Sequence, residues 1–162
     1  MAVFTDKDKG WNKLMTSFKV NAGETAAFAG YLRSSGEHKP KEEGKPATPI
    51  TMAALARVHE FGAPDRNIPE RSFIRSAMNE HGKEFERLIK KIARSMVSGK
   101  INKKQGLGIL AQKAIDWIKA KIDSIVPPPN APSTVRRKGS DVTLVDTGQL
   151  RNSLDWELKE GK

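Results

Sequence analysis

Two amphipathic patterns in the middle of the chain constrain its fold more than any other feature. From about 67 to 98, and again from 105 to 126, apolar residues recur at intervals of three and four, which predicts helices that each bury one face. Gly82 lies inside the first pattern and predicts a kink or break, because glycine costs a helix interior about 1 kcal/mol relative to alanine. Three consecutive prolines that begin at Pro127 end the second pattern. The connection at 100–104 is short, so the two helices should form an antiparallel pair.

The apolar stripe of each pattern predicts which side chains enter the core. The first helix should end at Gly99, and its stripe consists of Phe73, Ala77, Phe85, Leu88, Ile89, Ile92 and Met96. The stripe of the second helix consists of Leu107, Leu110, Ala111, Ala114, Ile115, Ile118, Ile122 and Ile125.

Apolar and polar residues alternate outside these helices and predict a small sheet. One strand is predicted at 18–21 and a turn at 23–24, and a second strand follows this turn and contains the apolar residues of 28–32. Another strand is predicted at 154–158, and a short strand or extended segment at 142–145. We therefore predict an α+β fold in which a small, mostly antiparallel sheet packs on the two long helices.

One further helix and two loops are predicted between these elements. Thr51 should begin the helix as a capping residue, and Gly62 should end it. The segments 34–50 and 127–142 are rich in proline and charge and poor in large apolar residues, which predicts long flexible loops. The N-terminal lead-in is polar apart from an apolar patch around Trp11 that suits one helical turn.

The composition excludes several classes of protein. The 162 residues include no cysteine, which rules out disulfide scaffolds, thiolate metal sites and cysteine nucleophiles. No apolar run approaches the ~18–20 residues that span a bilayer, and the first residues lack the basic flank and apolar stretch of a secretory signal. We therefore expect one domain over 1–162 and no membrane insertion. The net charge of +10 predicts an anionic partner, which could be nucleic acid, an acidic protein surface or anionic lipid.

The triplet Asp146-Thr147-Gly148 is the motif nearest to catalytic chemistry. Aspartic proteases carry such a triplet, and their mechanism needs two carboxylates that share a proton, which a dimer could supply. Gln149 follows where those enzymes have alanine or serine, and only 14 residues remain for the further sheet that they need. The favoured interpretation is a capping box, in which Asp146 begins a short helix and Gln149 is its reciprocal partner.

Histidines and glycines form no pattern that predicts a site. His38, His59 and His81 are isolated and lack the spacing of a metalloprotease helix. Gly106-Leu107-Gly108 lacks both the continuation and the preceding strand of a dinucleotide-binding loop. We therefore predict no catalytic residue, no cofactor and no bound metal.

Two clusters of basic residues could contact phosphates. Arg136-Arg137-Lys138 lies in the late loop, where contact with solvent and contact with a partner both stay open. The other cluster occupies one polar face of the helix after Gly82, is partly balanced by Glu84 and Glu86, and is interpreted as a solvated helix face. Its members are Lys83, Arg87, Lys90, Lys91 and Arg94.

Three sequence segments occur in a specific order along the chain. The first is Ala56-Arg57-Val58-His59-Glu60-Phe61-Gly62, followed closely by Ile68-Pro69-Glu70-Arg71-Ser72-Phe73-Ile74-Arg75. The second is the long helical middle with its proline-rich end. The third is Arg137-Lys138-Gly139-Ser140, then Leu144-Val145-Asp146-Thr147-Gly148-Gln149-Leu150-Arg151-Asn152-Ser153-Leu154. Over about 51–158, this order resembles small neck proteins of tailed bacteriophages, a broad family of tail-completion, head–tail joining and virion-morphogenesis components.

The resemblance implies a structural, non-enzymatic protein of the virion neck or proximal tail that is assembled in the host cytoplasm. Such proteins form rings, often six-fold, between the head connector and the tail tube, and DNA crosses the ring without sequence-specific recognition. The implied partners are connector, tail-tube or tail-terminator proteins and further copies of the chain. The implied contact residues are Glu60, Phe61, Gly62, Arg71, Phe73, Arg75, Arg136, Arg137, Lys138 and Asp146.

Several alternatives stay open at this point. Phe61 and Phe73 could be core anchors, and Gly62 could do no more than end a helix. The positive charge could face DNA or pair with acidic neck subunits, and pairing is favoured because tight phosphate contacts would oppose DNA passage. The alternative function is a basic nucleic-acid-binding protein, and a dimeric acid protease is a third possibility.

Overall fold

The computed structural model describes residues 25–37 and 50–160 of the chain. The helical turn predicted near Trp11, the strand predicted at 18–21 with the turn after it, and most of the loop predicted at 34–50 lie outside the described residues. Within them the α+β class is confirmed, because a two-stranded antiparallel sheet accompanies several helices.

The sheet pairs the two ends of the described chain. Strand β1 spans Thr25–Gly30, and strand β2 spans Asp155–Glu160. They pair along their whole length, so that the first residue of β1 lies opposite the last residue of β2. Both strands were predicted, one after the turn at 23–24 and one from the alternation at 154–158.

Helices make up most of the remainder. They are α1 (Met52–Phe61), α2 (Ile74–Glu80), α3 (Gly82–Val97), α4 (Lys103–Asp123), α5 (Pro132–Lys138) and α6 (Gln149–Asn152), with 3₁₀ turns at Arg33–Ser35 and Pro64–Arg66.

Local signals predicted several helix ends correctly. The Thr51 hydroxyl accepts a hydrogen bond from the Ala54 backbone N at 3.2 Å and caps α1, and Gly62 follows the last residue of that helix. The predicted break at Gly82 is also confirmed, because α2 and α3 are separate helices that meet at His81.

Helix α4 lies between α3 and the sheet. A Cβ on Gly106 would lie 2.8 Å from the Met96 sulfur, and one on Gly108 would lie 2.9 Å from the Trp156 ring, so both glycines permit close packing. Trp117, near the end of α4, packs edge-on against Phe85 near the start of α3, with ring centroids 5.6 Å apart. The start of α4 therefore meets the end of α3, and the predicted antiparallel pair is confirmed.

The buried side chains form two clusters. The larger one lies between α1, α2, α4 and the segment around α6, and its most buried members include Met52, Phe73 and Ile115. The smaller one lies between α3 and α4. The predicted α4 stripe omitted Trp117, which is buried, and included Ile125, which is 55% exposed because α4 already ends at Asp123.

The helix predicted from about 67 begins only at Ile74. The backbone before it is bonded to other partners: Ile68 N donates to the Ala63 carbonyl at 3.0 Å, and Arg71 N donates to the His59 carbonyl at 2.8 Å. Because these amides bond to the last turn of α1 and to the residue two positions beyond it, they do not continue a helix.

Two predictions for the late segment are wrong. The extended loop expected at 127–142 contains α5, which has proline in its first turn and the left-handed Gly139 after its last residue. This placement of proline and glycine favours a short helix even in a proline-rich segment. The strand predicted at 142–145 is also absent: Thr143 and Leu144 form a turn, which the bond from Val126 N to the Thr143 hydroxyl and the burial of Leu144 hold against the core.

Candidate functional site

The Glu60 carboxylate is the centre of the candidate site, in the last turn of α1, and the residue is only 3% exposed. Its Oε2 accepts hydrogen bonds from the backbone N of Phe73 and of Ile74, each at 2.9 Å. Its Oε1 accepts from Ser72 Oγ at 2.9 Å, Arg75 Nε at 3.0 Å and Arg75 N at 3.1 Å. A carboxylate on three backbone N–H groups at the start of α2 caps that helix and complements its dipole.

A tight reversal of the backbone brings these groups together. Gly62 has a φ of 72°, and Ala63 and Ile68 then form an antiparallel bridge in which Ala63 N donates to the Ile68 carbonyl at 2.8 Å. The chain doubles back along the end of α1, where Arg71 N bonds to the His59 carbonyl. The start of α2 therefore lies against the last turn of α1.

Arg75 connects the buried carboxylate with the surface. Its Nη2 donates to the Glu60 carbonyl at 3.2 Å and to Glu70 Oε1 at 2.6 Å, and its guanidinium carbon lies 4.9 Å from the centre of the Phe61 ring. Burial alone lowers the pKa of Arg75, but the hydrogen bonds and charges of Glu60, and then of Glu70, outweigh it and raise the pKa. Phe61 is 51% exposed, so its interpretation as a core anchor is wrong, whereas the fully buried Phe73 is one.

Arg71 ties the first motif to the proline-rich loop. The residue is buried, and its Nε donates to the Pro128 carbonyl at 2.9 Å. Its Nη2 donates to the Pro129 carbonyl at 3.3 Å and to Asn130 Oδ1 at 3.4 Å. These acceptors are neutral, and burial lowers the pKa of Arg71. A single guanidinium thus holds a turn of the loop against the start of α2.

The same loop is closed at its far end. Lys138 Nζ donates to the Val142 carbonyl at 2.8 Å and to the Thr143 carbonyl at 3.4 Å. The Thr143 hydroxyl accepts a hydrogen bond from Val126 N at 2.9 Å, which joins the two ends of the loop. Helix α5 is therefore held between two bonded ends.

Residues from the first and third motifs line a shared cleft of about 490 Å³, together with the proline-rich loop. Its charged lining residues are Arg71, Arg137, Lys138 and Asp146, and His59 also lines it. Burial lowers the pKa of Lys138, the charge of Asp146 opposes this effect, and Arg71 and Arg137 add to it. Because cations outnumber the single carboxylate, the cleft favours a segment that presents carboxylates or carbonyl oxygens.

The N-cap position of α6 is not Asp146, so the predicted capping box is wrong. The N-cap of that helix is Gly148, two residues beyond the position that a box between Asp146 and Gln149 requires. The Thr147 hydroxyl accepts a hydrogen bond from Gln149 Nε2 at 2.9 Å. The short helix itself is found where it was predicted.

Most of the predicted contact residues lie in this one region, and several of them have structural roles in the chain itself. Gly62 ends α1, Phe73 lies in the core, and Glu60, Arg71 and Lys138 are bonded to backbone groups. Those with side chains exposed at the surface are Phe61, Arg136, Arg137 and Asp146.

The sequence pattern alone did not single out Tyr31, Asn130 and Thr143. The Tyr31 hydroxyl donates to the Leu150 carbonyl at 2.8 Å, and its ring packs edge-on against Phe73 with centroids 6.4 Å apart. Only Asn130 carries a sequence signal for such a role, because it is a polar amide that directly follows three prolines. The partners of all three lie far from them in sequence or within irregular backbone, where periodicity carries no information.

Alkaline pH is expected to destabilise the protein through Tyr31. Burial, and then the charge of Glu60, raise the pKa of this phenol well above its ordinary value. Above about pH 10 the unfolded state loses the phenol proton and the folded state keeps it, so stability falls by about 1.4 kcal/mol per pH unit. The chain has one tyrosine, so phenolate absorbance should appear together with the loss of helical circular dichroism. Tyr31→Phe should remove this contribution, and phenolate absorbance in the still-folded protein would contradict the assignment.

Comparison with known proteins finds no matching family model, no matching curated protein and no matching solved structure. Across the described ranges, none of the helices is both long and apolar enough to cross a bilayer. Within 25–37 and 50–160, no group of three or more histidine or acidic residues is placed to hold a metal ion.

Proposed function

We propose that the chain is a structural bacteriophage neck protein, of the tail-completion or head–tail joining type. In this proposal, copies of it form a ring between the head connector and the tail tube, in the virion neck or proximal tail, and DNA passes through the ring. The observation that carries the proposal is the junction at Glu60 and Arg71. There, the residues that resemble the neck-protein motifs join segments as far as 59 positions apart.

The chemistry of this junction favours a structural role. Both oxygens of the Glu60 carboxylate are engaged by hydrogen-bond donors, and the buried Arg71 is engaged by carbonyl groups. Buried polar groups whose hydrogen-bonding capacity is filled in this way rigidify a fold. A substrate could bind to them only by displacing one of these partners. A rigid junction suits a subunit that must present a fixed surface to its neighbours.

The exposed residues beside the junction are the proposed contacts. Phe61 with Arg75 over its ring combines an aromatic residue and an arginine, the types that protein interfaces favour. Arg136 and Arg137 are exposed on α5 and are proposed to pair with acidic subunits of the connector or tail. Lys138 is bonded to its own loop, so its role in such pairing is minor.

The test is the native mass of the purified full chain at low micromolar concentration and moderate salt. We expect a closed oligomer, with six subunits as the resemblance implies, because head-to-tail contacts close when the rotation between subunits closes. Phe61→Ser should shift the mass to a monomer, since it removes the exposed aromatic ring of the proposed contact.

Phe28→Ser is the matched control. Phe28 is 40% exposed on β1 and also has a cation over its ring, with Lys159 Nζ at 5.0 Å. This variant should keep the oligomer. A wild-type monomer at every concentration would contradict self-assembly into a ring, and a strict dimer would favour the protease alternative and justify a peptidase assay of Asp146→Asn.

A further inference from the structure

The outward face of α3 carries five cations, which we call the cationic stripe: Lys83, Arg87, Lys90, Lys91 and Arg94. All five are exposed. With 3.6 residues per turn they fall within an arc of about 100°. The buried Phe85 and Ile92 lie on the opposite face and pack toward α4, so the stripe points away from the core.

The stripe is not neutralised by acidic neighbours. In the described part of the chain, no carboxylate lies within ion-pair distance of any of its members. Glu84, which in sequence balances the cluster, is instead 3.8 Å from Lys113 Nζ on α4 and 3.3 Å from His81 Nδ1. Glu86 is the one acid of α3 left beside the stripe, at its edge.

Several cations on neighbouring elements are paired, although Lys119 on α4 has no acidic partner within the described ranges. Lys113 and Lys121 on α4 have the α3 and α2 acids Glu84 and Glu80 as partners, and Arg151 is paired with Asp123. The uncompensated charge of this surface is therefore concentrated on α3. Like charges at intervals of three and four repel one another along a helix, at a cost that an anionic ligand would relieve.

The dimensions of the stripe suit a phosphate backbone. From Lys83 to Arg94 the helix rises about 16 Å, and the steps between successive cations are about 4.5–6 Å except between the adjacent Lys90 and Lys91, which are about 1.5 Å apart along the axis. A duplex carries one phosphate per strand for each ~3.4 Å of its axis, so the stripe spans about five phosphates of one strand.

The side chains in the arc indicate nucleic acid over protein, and a duplex over a single strand. Protein interfaces are depleted in lysine at their core and enriched in aromatic residues. The stripe contains three lysines, and no aliphatic or aromatic side chain lies between its members on that face. Single-strand binders add aromatic side chains on which bases stack. The arc itself carries none, and Trp156, which lines a cleft with Arg87 and Lys91, is packed over Gly108 and donates to Gln112 Oε1 at 3.1 Å.

We propose that the cationic stripe of α3 binds the phosphate backbone of double-stranded nucleic acid without reading its sequence. This inference does not rest on the proposed ring, because one subunit suffices for the contact. Five phosphate contacts give weak binding that salt screens strongly, which lets a protein slide along a duplex. Such a contact is compatible with DNA that moves past the protein.

The experiment measures binding of the full-length protein to a labelled mixed-sequence duplex of about 20 base pairs by fluorescence anisotropy at several salt concentrations. Five contacts predict a slope of about −4.5 for log K against log salt, which is a fall of about 500-fold between 50 and 200 mM. Lys83→Gln, Lys90→Gln and Arg94→Gln together should leave two contacts and a fall of about 12-fold.

Two matched variants distinguish the effect of the stripe on binding from the effects of net charge and of a folding defect. Arg57→Gln, Arg66→Gln and Lys159→Gln together remove the same charge from exposed positions outside α3 and should keep the wild-type slope. Lys83→Arg with Lys90→Arg keeps the charge of the stripe and should also keep the slope.

The proposal is overturned if the wild type does not bind at about 50 mM salt. It is also overturned if the triple glutamine variant outside α3 reduces the slope of log K against log salt as much as the triple glutamine variant of the stripe does. If polyglutamate displaces the duplex at equal charge concentration, the stripe is assigned to an acidic protein. If a single strand binds as tightly as the duplex, the preference for a duplex is overturned. If the protein is a monomer and binds the duplex with the expected slope, the proposal for the stripe is supported and the proposed ring is contradicted. If the protein forms a ring and does not bind the duplex, the ring is supported and the proposal for the stripe is overturned.

Discussion

Glu60→Ala is expected to lower the free energy of unfolding by about 3–5 kcal/mol, the range for removing one partner of a buried ion pair. The backbone N–H groups of Phe73 and Ile74 and the Arg75 Nε would lose an acceptor that now lies at 2.9 to 3.0 Å. Unpaired donors that water reaches poorly are costly, and α2 would also lose its cap. Urea denaturation followed by tryptophan fluorescence measures the change.

Glu70→Gln is the matched control, because Glu70 binds the same arginine. Its Oε1 lies 2.6 Å from Arg75 Nη2, but its side chain is 56% exposed. Exposed ion pairs contribute little, so we expect a change of less than about 1 kcal/mol. Glu60→Gln should remain costly, since an amide offers one acceptor oxygen where the carboxylate offers two. Equal effects of Glu60→Ala and Glu70→Gln would contradict the buried network as a source of stability.

Gly62→Ala is expected to cost about 3–5 kcal/mol, because it combines backbone strain with overpacking. Gly62 has a φ of 72° and a ψ of 173°, a region that residues with a Cβ rarely adopt. An added Cβ would also lie 2.7 Å from the Glu70 backbone N and 3.0 Å from the Ile68 carbonyl oxygen. The reversal that brings α2 to Glu60 would have to open to accommodate it.

Gly36→Ala separates the two contributions. Gly36 has a similar backbone, with a φ of 74° and a ψ of −162°, but an added Cβ would meet nothing within 4 Å. It should cost only the backbone strain, about 1–3 kcal/mol. The difference between the two variants in urea denaturation reports the close packing at Gly62. A cost for Gly62→Ala no greater than for Gly36→Ala would show that the reversal tolerates a side chain.

Signals that act within one helical turn predicted much of the fold. Thr51 caps α1 through a bond three residues away, Gly62 ends that helix, and Gly82 separates α2 from α3. The period of the apolar residues also predicted most of the buried face of α4. Each signal depends on neighbours a few positions along the chain, which is why sequence suffices for it.

Predictions that needed a distant partner were less accurate. Ile125 continues the apolar period of α4 but is exposed, because the chain leaves the helix before reaching it. The helix expected from 67 is replaced by backbone that bonds to the last turn of α1 and to the residue two positions beyond it. Tertiary hydrogen bonds override local helix propensity there, since each residue has one amide donor to give.

The candidate site shows the same division between residues and their partners. The motif pattern picked out Glu60, Arg71 and Lys138, but their partners are backbone groups that no sequence pattern marks. It could not show that Phe61 faces solvent while Phe73 is buried, because both are phenylalanines beside turns.

By itself, the amino-acid sequence determined the α+β class and the two long helices with their break and proline stop, and it drew attention to Glu60 and Arg71 without showing what they bind. The tertiary structure alone decided that a carboxylate in α1 caps α2, that Arg71 holds the proline-rich loop, and that Glu84 turns to Lys113 and leaves the cationic stripe of α3 uncompensated. The physical reason is the separation along the chain over which each effect acts. Capping, propensity and periodicity act between residues a few positions apart, whereas burial and charge pairing depend on which surfaces the folded chain brings into contact.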